Sequence, residues 1–446
     1  MIPFEEEFAA YCAAHGMPER LELLLCDING VWRGKWLPSD QVLALVGGKV
    51  RLPLSTYAPS VMGPEVEETG LGIVVGDPDG VLRPLPGTLK PVPWSRRDVA
   101  QVQVEMCEMG KSAPSALSTR ATLERAVQAL GDMGYTPVIA TELEFYLCAA
   151  RDDRDAPPSP IAHTPDIQNY DLEAMERHAP LLIRIQDYAK AQGLATDTLI
   201  AEYGPGQFEI NFHHSADALQ AADTALLFRR LVRATAHEFG VEATFMAKPY
   251  VDQPGNGMHA HVSLLNASGE PVFYSKSKPS PLLLNAVSGL LSSMSELQAI
   301  FAPHYNSFRR FSKGSFAPTT PDWGMDNRAV SLRLPQTTGP NARLEHRISG
   351  ADVNPYLALA AILQGMAKGL AEPHPLPEPL GATDETQSTP LSDSWPNAVN
   401  ALEASDFAKE VLGALHPVYL AVKRAEMEVM KAEITPAEYR YSLSRF

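Results

Sequence analysis

The stretch Ala243–Leu264 reads ATFMAKPYVDQPGNGMHAHVSL, and it predicts a glycine-rich loop that leads into a β-strand. Glycines in the loop, Pro254–Gly257, let a ligand come close to the backbone. In the strand, His259, His261 and Ser263 alternate with small or apolar residues, so the three polar side chains share one face. Two histidines placed in this way are either hydrogen-bonded core residues or ligands. Partners from elsewhere in the chain decide between these interpretations.

Length and composition indicate a large globular protein. The 446 residues suit two or three domains, and a composition of 45% hydrophobic and 20% charged residues supports a large core. The formal net charge of −16 argues against a nucleic-acid partner, because such a partner requires a basic face. An acidic field favours a cationic substrate, although plain solubility also explains this charge.

Cysteine usage and hydropathy indicate a cytoplasmic protein. The cysteines form no C-x-x-C pair, so neither a disulfide framework nor a zinc module is expected. They are Cys12, Cys26, Cys107 and Cys148. The residues Met1–Phe8 are acidic, and no signal peptide is expected. No apolar stretch approaches the roughly 18 residues of a transmembrane helix, so no membrane partner is expected.

Short strand patterns between Pro/Gly turns predict a small N-terminal domain, residues 1–110, before a larger domain, residues 111–446. The predicted strands of the first domain are Leu21–Asp27, Val31–Trp36, Gly72–Val75, Val81–Leu85 and Ala100–Cys107. In the larger domain, strands are predicted at Tyr135–Leu147 and Glu202–Phe212. Helices are predicted there at Ala121–Gly131, Leu172–Gln192, Ala216–Phe239, Leu282–Phe301, Pro355–Leu370, Asn397–Leu415 and Tyr419–Glu433.

Carboxylates recur in these predicted strands. Glu142 and Glu144 share one face of an otherwise apolar strand, and without a cation two adjacent carboxylates lose free energy through repulsion and desolvation. A solvated edge strand would make the pair unimportant, but apolar flanks on both sides favour a metal or catalytic role. Glu202, Glu209 and Glu345 add three more carboxylates. Carboxylates with a histidine suit two hard divalent cations, Mg²⁺ or Mn²⁺ rather than zinc, since no thiolate takes part.

Arginines cluster in the segment after these carboxylates. Arginine forks bind phosphate and carboxylate bidentately, although a single arginine is usually a surface residue. Six of them between residues 309 and 347 of an acidic protein favour an anionic substrate: Arg309, Arg310, Arg328, Arg333, Arg343 and Arg347. Metals together with arginines suggest phosphoryl transfer, and the sequence contains no P-loop motif to carry it.

These motifs follow one another in a fixed order over almost the whole chain. They are the E-x-E strand Glu142/Glu144, the strand with Glu202 and Glu209, the K-P…G-x-G-M-H-x-H-x-S block Lys248–Ser263, the N-S-x-x-R block Asn306–Arg310, the N-R-x-x-x-x-R block Asn327–Arg333, the R-x-E-x-R block Arg343–Arg347, and Asn354-Pro355-Tyr356. The set resembles the glutamine synthetase superfamily. The resemblance implies an α+β fold, with an N-terminal β-grasp domain and a larger catalytic α/β domain built on an antiparallel sheet. It also implies a dodecamer of two hexameric rings, in which a neighbouring subunit completes each active site.

The resemblance implies a role for each matching residue. It assigns Glu144, Glu202 and Glu209 to one cation, and Glu142, His259 and Glu345 to a second cation. It assigns nucleotide contacts to His261, Ser263, Arg333 and Arg343. It assigns glutamate contacts to Gly255, Arg310 and Arg347, and the transferred phosphate to Arg328. The implied reaction is attack of the glutamate γ-carboxylate on ATP, which gives γ-glutamyl phosphate, followed by displacement of phosphate by an amine.

The sequence departs from the ammonia-using members at three points. In those members the loop after N-S-x-x-R carries a glutamate that helps to bind ammonium, whereas the loop Ser312–Pro318 has Phe316 at that position. The family's Asp-Gly-Ser-Ser ammonium loop has its nearest counterpart in Leu54–Ala58, which contains no aspartate. Pro254 stands where the family usually has an asparagine that contacts glutamate.

These departures resemble the branch of γ-glutamylputrescine and γ-glutamylpolyamine synthetases. The sequence therefore predicts ATP-dependent ligation of glutamate to a primary amine, with putrescine or another polyamine favoured and with Phe316 and Tyr57 in the amine pocket. Glu202 is the candidate base that deprotonates the amine. Two alternatives are an ammonia-dependent glutamine synthetase and a catalytically silent, structural or regulatory member of the superfamily. The silent alternative is disfavoured because every matched metal position is present.

Overall fold

The computed structural model describes residues 2–312, 315–381 and 383–446, and it contains two β-sheets. The first sheet has six strands in the order β2-β1-β6-β4-β3, and β5 pairs with β6. Its strands are β1 Arg20–Cys26, β2 Trp32–Pro38, β3 Arg51–Pro53, β4 Asp79–Pro84, β5 Lys90–Pro91 and β6 Val99–Glu108. Two helices accompany this sheet, α1 Phe4–His15 and α2 Val42–Val46.

A small core holds the first sheet together. Leu21, Leu23 and Leu25 of β1 pack with Val102 and Val104 of β6, and all five side chains are buried. A tight turn that contains Asn29-Gly30, a sequence typical of β-hairpins, joins β1 to β2, and the two strands pair antiparallel. The sheet ends at residue 108 and the next helix begins at residue 119, so the stretch between them connects the two sheets. The division into domains at residue 110 stays a prediction.

The second sheet has eight strands in the order β12-β13-β14-β11-β7-β9-β8, and β10 pairs with β7. Its strands are β7 Tyr135–Ala149, β8 Thr196–Ala201, β9 Gln207–Phe212, β10 Val241–Thr244, β11 Met258–Asn266, β12 Trp323–Met325, β13 Leu332–Gln336 and β14 Arg343–His346. The pairings are antiparallel except that of β12 with β13. This α+β arrangement with a mainly antiparallel sheet confirms the expected fold class.

Outside the first sheet, the described residues form eleven further α-helices. They are α3 Thr119–Asp132, α4 Leu172–Arg177, α5 Ala179–Ala191, α6 Ala218–Glu238, α7 Pro281–Ser293, α8 Gln298–Phe301, α9 Pro355–Ala371, α10 Trp395–Ala404, α11 Asp406–Leu412, α12 Leu415–Ala432 and α13 Pro436–Ser442. Among the described residues, none of these helices is long and apolar enough to span a membrane.

The structure corrects several predicted elements. Residues Ile73–Val75, predicted as part of a strand, form a short 3₁₀ turn. The predicted helix 172–192 is two helices, because Pro180 cannot continue the hydrogen-bonding pattern of the first one. The predicted strand 202–212 begins only at Gln207, so that Glu202 lies in the turn between β8 and β9. The helix predicted at 397–415 is broken into shorter helices by Ser405, which caps α11.

Helix α9 is fixed at its N-terminus. The side chain of Asn354 caps the helix by accepting a hydrogen bond from Tyr356 N at 3.0 Å, and Pro355 occupies the first turn. The Asn354 amide also donates to Asp27 O of the first sheet at 3.0 Å. The Asn-Pro-Tyr motif of the sequence is therefore a helix start that ties the two sheets together.

Helices α7 and α9 approach each other through glycines. A Cβ atom added to Gly289 would clash with the backbone of Gly365 and Gly369, although the backbone of Gly289 is ordinary helix. By contrast, a Cβ atom on Gly131 of α3 would meet only Gln128 Nε2, at 3.8 Å. Close packing of two backbones therefore requires a glycine at position 289.

We expect Gly289→Ala to lower the melting temperature, because overpacking of this kind costs about 1–3 kcal/mol. Gly131→Ala is the matched control, and we expect it to be neutral or stabilising by up to about 1 kcal/mol, the helix-propensity difference. Thermal unfolding followed by circular dichroism compares the two variants. Equal melting temperatures for both variants would contradict the packing argument.

Candidate active site

The strand register places acidic side chains on one face of the second sheet. At the centre, Glu142 of β7 lies opposite Asn211 of β9 and His259 of β11. Glu144 of β7 lies opposite Glu209 of β9. Successive side chains of a strand point to opposite faces, so residues paired directly across strands share a face. Local alternation and strand pairing together produce the cluster.

The same face continues towards the other edge of the sheet. His261 of β11 lies opposite Glu345 of β14, and Glu345 lies opposite Arg333 of β13. The opposite face of β7 is apolar, and its Leu143 and Phe145 are fully buried. The core behind the sheet therefore fixes the face on which the carboxylates stand.

Two histidines form hydrogen bonds with one of the carboxylates. Glu142 contacts His259 Nδ1 at 3.0 Å and His261 Nε2 at 2.7 Å. Burial by itself would raise the pKa of Glu142, but hydrogen bonds from both histidines outweigh burial and hold the pKa well below its ordinary value. Glu142 is therefore ionised in the cluster.

Two arginines neutralise a second carboxylate. Glu345 accepts hydrogen bonds from Arg333 Nη1, at 2.9 Å, and from Arg347 Nη1. Burial is the largest single effect on Glu345 and opposes its ionisation, but Arg347, with smaller contributions from His259 and His261, outweighs burial and lowers the pKa of the carboxyl. Like Glu142, this group is negatively charged and already paired.

At two of the remaining carboxylates, burial and like charge outweigh the positive charge nearby. Burial, followed by repulsion from Glu144, raises the pKa of Glu202 to about 7. Burial, followed by repulsion from Glu142 and Glu144, raises the pKa of Glu209 well above its ordinary value. Glu144 accepts a hydrogen bond from Gly257 N at 2.7 Å, so the glycine-rich loop is fastened directly to the cluster.

The donor set fits divalent cations. The cluster contains two groups of three residues, and within each group the possible ligand atoms lie within 4.8 Å of one another. One group is Glu142, Glu209 and His259, and the other is Glu142, His261 and Glu345. Carboxylate oxygens are the preferred ligands of hard cations, and a cation would remove the repulsion that raises the two pKa values. These groups differ from the two predicted sets of cation ligands. Glu142 belongs to both groups because it contacts both histidines, and His261, predicted to contact the nucleotide, belongs to one of them. The assignment of each residue to one cation stays a prediction.

Two cavities flank the cluster. The first, of about 730 Å³, is lined by Glu144, Glu202, Glu209, Gly255 and Phe316 among others. The second, of about 820 Å³, is lined by His261, Ser263 and Arg343. Four residues belong to the lining of both cavities and form a wall between them: Glu142, Asn211, Arg328 and Arg333. Three predicted nucleotide contacts thus line the second cavity, namely His261, Ser263 and Arg343, and the predicted glutamate contacts Gly255 and Arg347 line the first. Arg333 lines both cavities, and Arg310 is not among the lining residues of either.

Predicted anion-binding residues surround the first cavity and its rim. Arg310 and Arg347 are buried, and their Nε atoms, like that of Arg333, have no hydrogen-bond partner among the described residues. A buried donor without a partner costs free energy, which an anionic ligand could recover. Gly255 is required sterically, since a Cβ atom there would lie 2.5 Å from Ala247 O.

The two residues predicted for the amine pocket lie in different places. Phe316 is 62% exposed and lines the first cavity. Tyr57 is only 1% exposed and packs in the core of the first sheet, where its hydroxyl accepts a hydrogen bond from Met106 N at 3.0 Å. The structure therefore contradicts the expectation that Tyr57 lines the pocket. Lys313 and Gly314, in the loop before Phe316, lie outside the described residues.

The structure adds residues that the sequence motifs did not indicate. Asn211 lies in the shared wall and donates to Glu209 at 2.8 Å, and its position two residues after Glu209 is a signal that could have identified it. Tyr170 and Tyr203 line the first cavity. Tyr170 has a φ of +69°, which is unusual for an aromatic residue, and no local sequence pattern predicts it. His213 lines the second cavity.

We expect Mg²⁺ or Mn²⁺ to raise the melting temperature, and to raise it more at pH 8 than at pH 6. A carboxyl whose folded-state pKa is raised makes the fold less stable as the pH rises from its ordinary pKa to the raised one. For Glu202 that loss is complete above about pH 7, and a bound cation reverses it. At pH 6 a proton competes with the cation. Thermal shift assays at both pH values test this, and equal shifts would contradict it.

Glu209→Gln separates charge repulsion from cation binding. Because it removes one buried charge, we expect it to raise the melting temperature of the metal-free protein at pH 8 and to reduce the further increase caused by Mg²⁺. Glu173→Gln removes the same charge from a side chain that is 85% exposed, and we expect it to change neither value. If Glu209→Gln behaved like this control, the cluster would not be a cation site.

Comparison with known proteins agrees with this geometry. The family model of the glutamine synthetase catalytic domain matches residues 116–442. γ-Glutamylputrescine synthetase PuuA of Escherichia coli is 36% identical over 99% of this chain and 95% of its own length. A glutamine synthetase of Pyrococcus abyssi is 32% identical over 92% of this chain and 90% of its own length. The solved structure of a GmaS/ADP complex is 26% identical, covers 98% of this chain and 99% of its own, and has a TM-score of 0.85. The chain belongs to the glutamine synthetase family.

Proposed function

We propose that this protein joins the γ-carboxylate of glutamate to a primary amine at the expense of ATP, through γ-glutamyl phosphate, with putrescine or another polyamine favoured as the amine. It is a carbon–nitrogen ligase. The observation that carries the proposal is the pair of cavities with a common wall at Glu142, Arg328 and Arg333. A phosphoryl donor in one cavity and an acceptor in the other would meet at this wall.

Side chains on each side of the wall suit one substrate. Ser263, His261 and Arg343 offer hydroxyl, imidazole and guanidinium groups to a nucleotide in the second cavity. In the first cavity, Arg347 and Gly255 would hold glutamate, with Arg310 directly behind the glycine. The γ-carboxylate would then point towards the shared wall.

Positive charge at the shared wall would stabilise the phosphoryl group during its transfer from ATP to glutamate. Divalent cations held by the carboxylates and His259 would neutralise charge on the transferring phosphate. Arg328 lines both cavities, so its guanidinium can follow the phosphoryl group from donor to acceptor. Glu202 is the candidate base for the incoming amine, because its carboxylate lines the first cavity, in which the amine would meet the acyl phosphate.

The first cavity favours an organic amine over ammonia. Phe316 occupies the position at which ammonia-using members carry a glutamate, and a phenyl ring packs against methylenes but cannot accept hydrogen bonds from ammonium as a carboxylate does. The similarity to γ-glutamylputrescine synthetase PuuA supports this preference. The similarity to a glutamine synthetase makes ammonia the second candidate substrate.

We also propose that the enzyme works in the cytoplasm as a dodecamer of two hexameric rings. Mg²⁺ or Mn²⁺, with two or more ions in each site, would be the cofactor. The proposed role is in amine or polyamine catabolism, where the ligation provides nitrogen. The catalytically silent alternative is disfavoured because all six predicted metal ligands are present and lie on or beside one face of the sheet.

The test is phosphate release that depends on ATP, glutamate and Mg²⁺, measured with ammonia, methylamine, ethanolamine, putrescine, cadaverine and spermidine. We expect kcat/KM to be highest for one of the organic amines. Turnover with ammonia alone would establish the glutamine synthetase alternative. No turnover with any of them, with ATP binding intact, would favour the silent alternative.

Phe316→Glu tests the reason for the amine preference. A carboxylate at this position can bind ammonium, so we expect the ratio of kcat/KM for ammonia to that for putrescine to rise by about tenfold or more, the effect of roughly 1.4 kcal/mol. Phe316→Leu keeps an apolar side chain and is the control, for which ammonia use should stay low. An unchanged ratio in Phe316→Glu would contradict this role of Phe316.

A further inference from the structure

An aromatic pair forms the wall of the first cavity beside the candidate base. The rings of Tyr203 and Phe316 meet edge to face, with centroids 5.3 Å apart and an interplanar angle of 65°. Both residues line the cavity, and Tyr203 directly follows Glu202 in the chain. No sequence motif pointed to Tyr203, and no role assigned above uses it.

The Tyr203 side of this pair is held firmly. Tyr203 lies in the turn between β8 and β9, where its carbonyl accepts a hydrogen bond from Gln168 N at 3.1 Å. On either side, Glu202 N donates to Gln207 O at 2.9 Å and Gly204 N donates to Gln207 Oε1 at 3.1 Å. Three hydrogen bonds thus fix the backbone of the turn from which the side chains of Tyr203 and Glu202 project.

The Phe316 side leaves an apolar surface uncovered. Phe316 belongs to a separate loop, and 62% of it is exposed even though it packs against Tyr203. An exposed phenyl ring at the wall of a cavity is free to bury the apolar part of a ligand. The surface it offers faces the cavity that Glu202 also lines, and this combination suits a molecule that has an amine at one end and carbon beside it.

We propose that Tyr203 and Phe316 form a hydrophobic wall that selects the amine by the length of its carbon chain. This inference rests on the proposed function, since the amine must place its nitrogen near Glu202 to react. The methylenes next to that nitrogen then lie along the two rings. The substrate class is a primary alkylamine or diamine whose chain is long enough to cover both rings, which excludes ammonia and disfavours methylamine.

The expected effect follows from the burial of methylenes. Each buried methylene contributes about 0.8 kcal/mol, which is about fourfold in kcat/KM. The series methylamine, ethylamine, propylamine and butylamine varies only the number of methylenes. We therefore expect kcat/KM to rise about fourfold per carbon in the wild type until the wall is covered.

The test measures this slope in variants of the wall. We expect Tyr203→Ala and Phe316→Ala to reduce the increase per carbon to less than twofold, whereas Tyr203→Phe, which keeps the ring, retains the wild-type slope. Tyr274→Ala removes a ring that is 49% exposed and lines neither cavity, and it should also retain the slope. Because each slope is a ratio within one variant, a loss of overall activity does not imitate the effect.

The outcomes separate this inference from the proposed function. If the wild type uses alkylamines with a rising slope and the alanine variants keep that slope, the aromatic wall is wrong and the proposed function stands. If the wild type prefers none of the organic amines over ammonia, diamines and polyamines included, the proposed function fails and the wall fails with it. Circular dichroism of each variant identifies any that do not fold, and Tyr203→Gln and Phe316→Gln, which keep a long side chain but remove the apolar ring, then replace them.

Discussion

Electrostatic repulsion among carboxylates on one face of a sheet is the constraint on which the site depends. Glu142 is hydrogen-bonded to two histidines and Glu345 to two arginines, whereas burial together with like charge raises the pKa values of Glu202 and Glu209. A fold retains such an arrangement at a cost in stability. Cation binding removes the cost, and the same cations would serve the chemistry. Stability and activity of this protein are therefore expected to depend on the same ions.

The fold satisfies this constraint through the register of its strands. Adjacent strands bring Glu142 against His259, and Glu345 against His261, although these residues are far apart in the chain. Buried apolar side chains such as Leu143 and Phe145 hold β7 from behind, since a shift of one residue would turn the carboxylates into the core. Glycines matter where the backbone itself is crowded, as at Gly255 in the loop and at Gly289 between helices. Packing far from the cavities thus determines where the charges lie.

Much of the site could be predicted from the sequence because it depends on local alternation. The pairs Glu142/Glu144 and His259/His261 each occupy one face of a strand, and a period of two is visible in the chain. Which strands lie side by side is decided by long-range packing, so the contact of His261 with Glu142 could not be foreseen. Tyr57 was predicted to line the amine pocket because it lies in Leu54–Ala58, the counterpart of the family's ammonium loop, but a residue of such a loop can also be buried in the core. Tyr203 was missed because its role depends on a ring contributed by another loop.

The proposed function depends on one step, the transfer of a phosphoryl group from ATP to glutamate across the wall shared by the two cavities. Glutamate labelled with ¹⁸O in its γ-carboxylate tests this most directly. When ATP, Mg²⁺ and an accepted amine are present, the account predicts that one labelled oxygen appears in each inorganic phosphate released, because γ-glutamyl phosphate loses that oxygen to phosphate. Released phosphate without label, at the same rate of amide formation, would contradict an acyl phosphate intermediate and the role assigned to the shared wall.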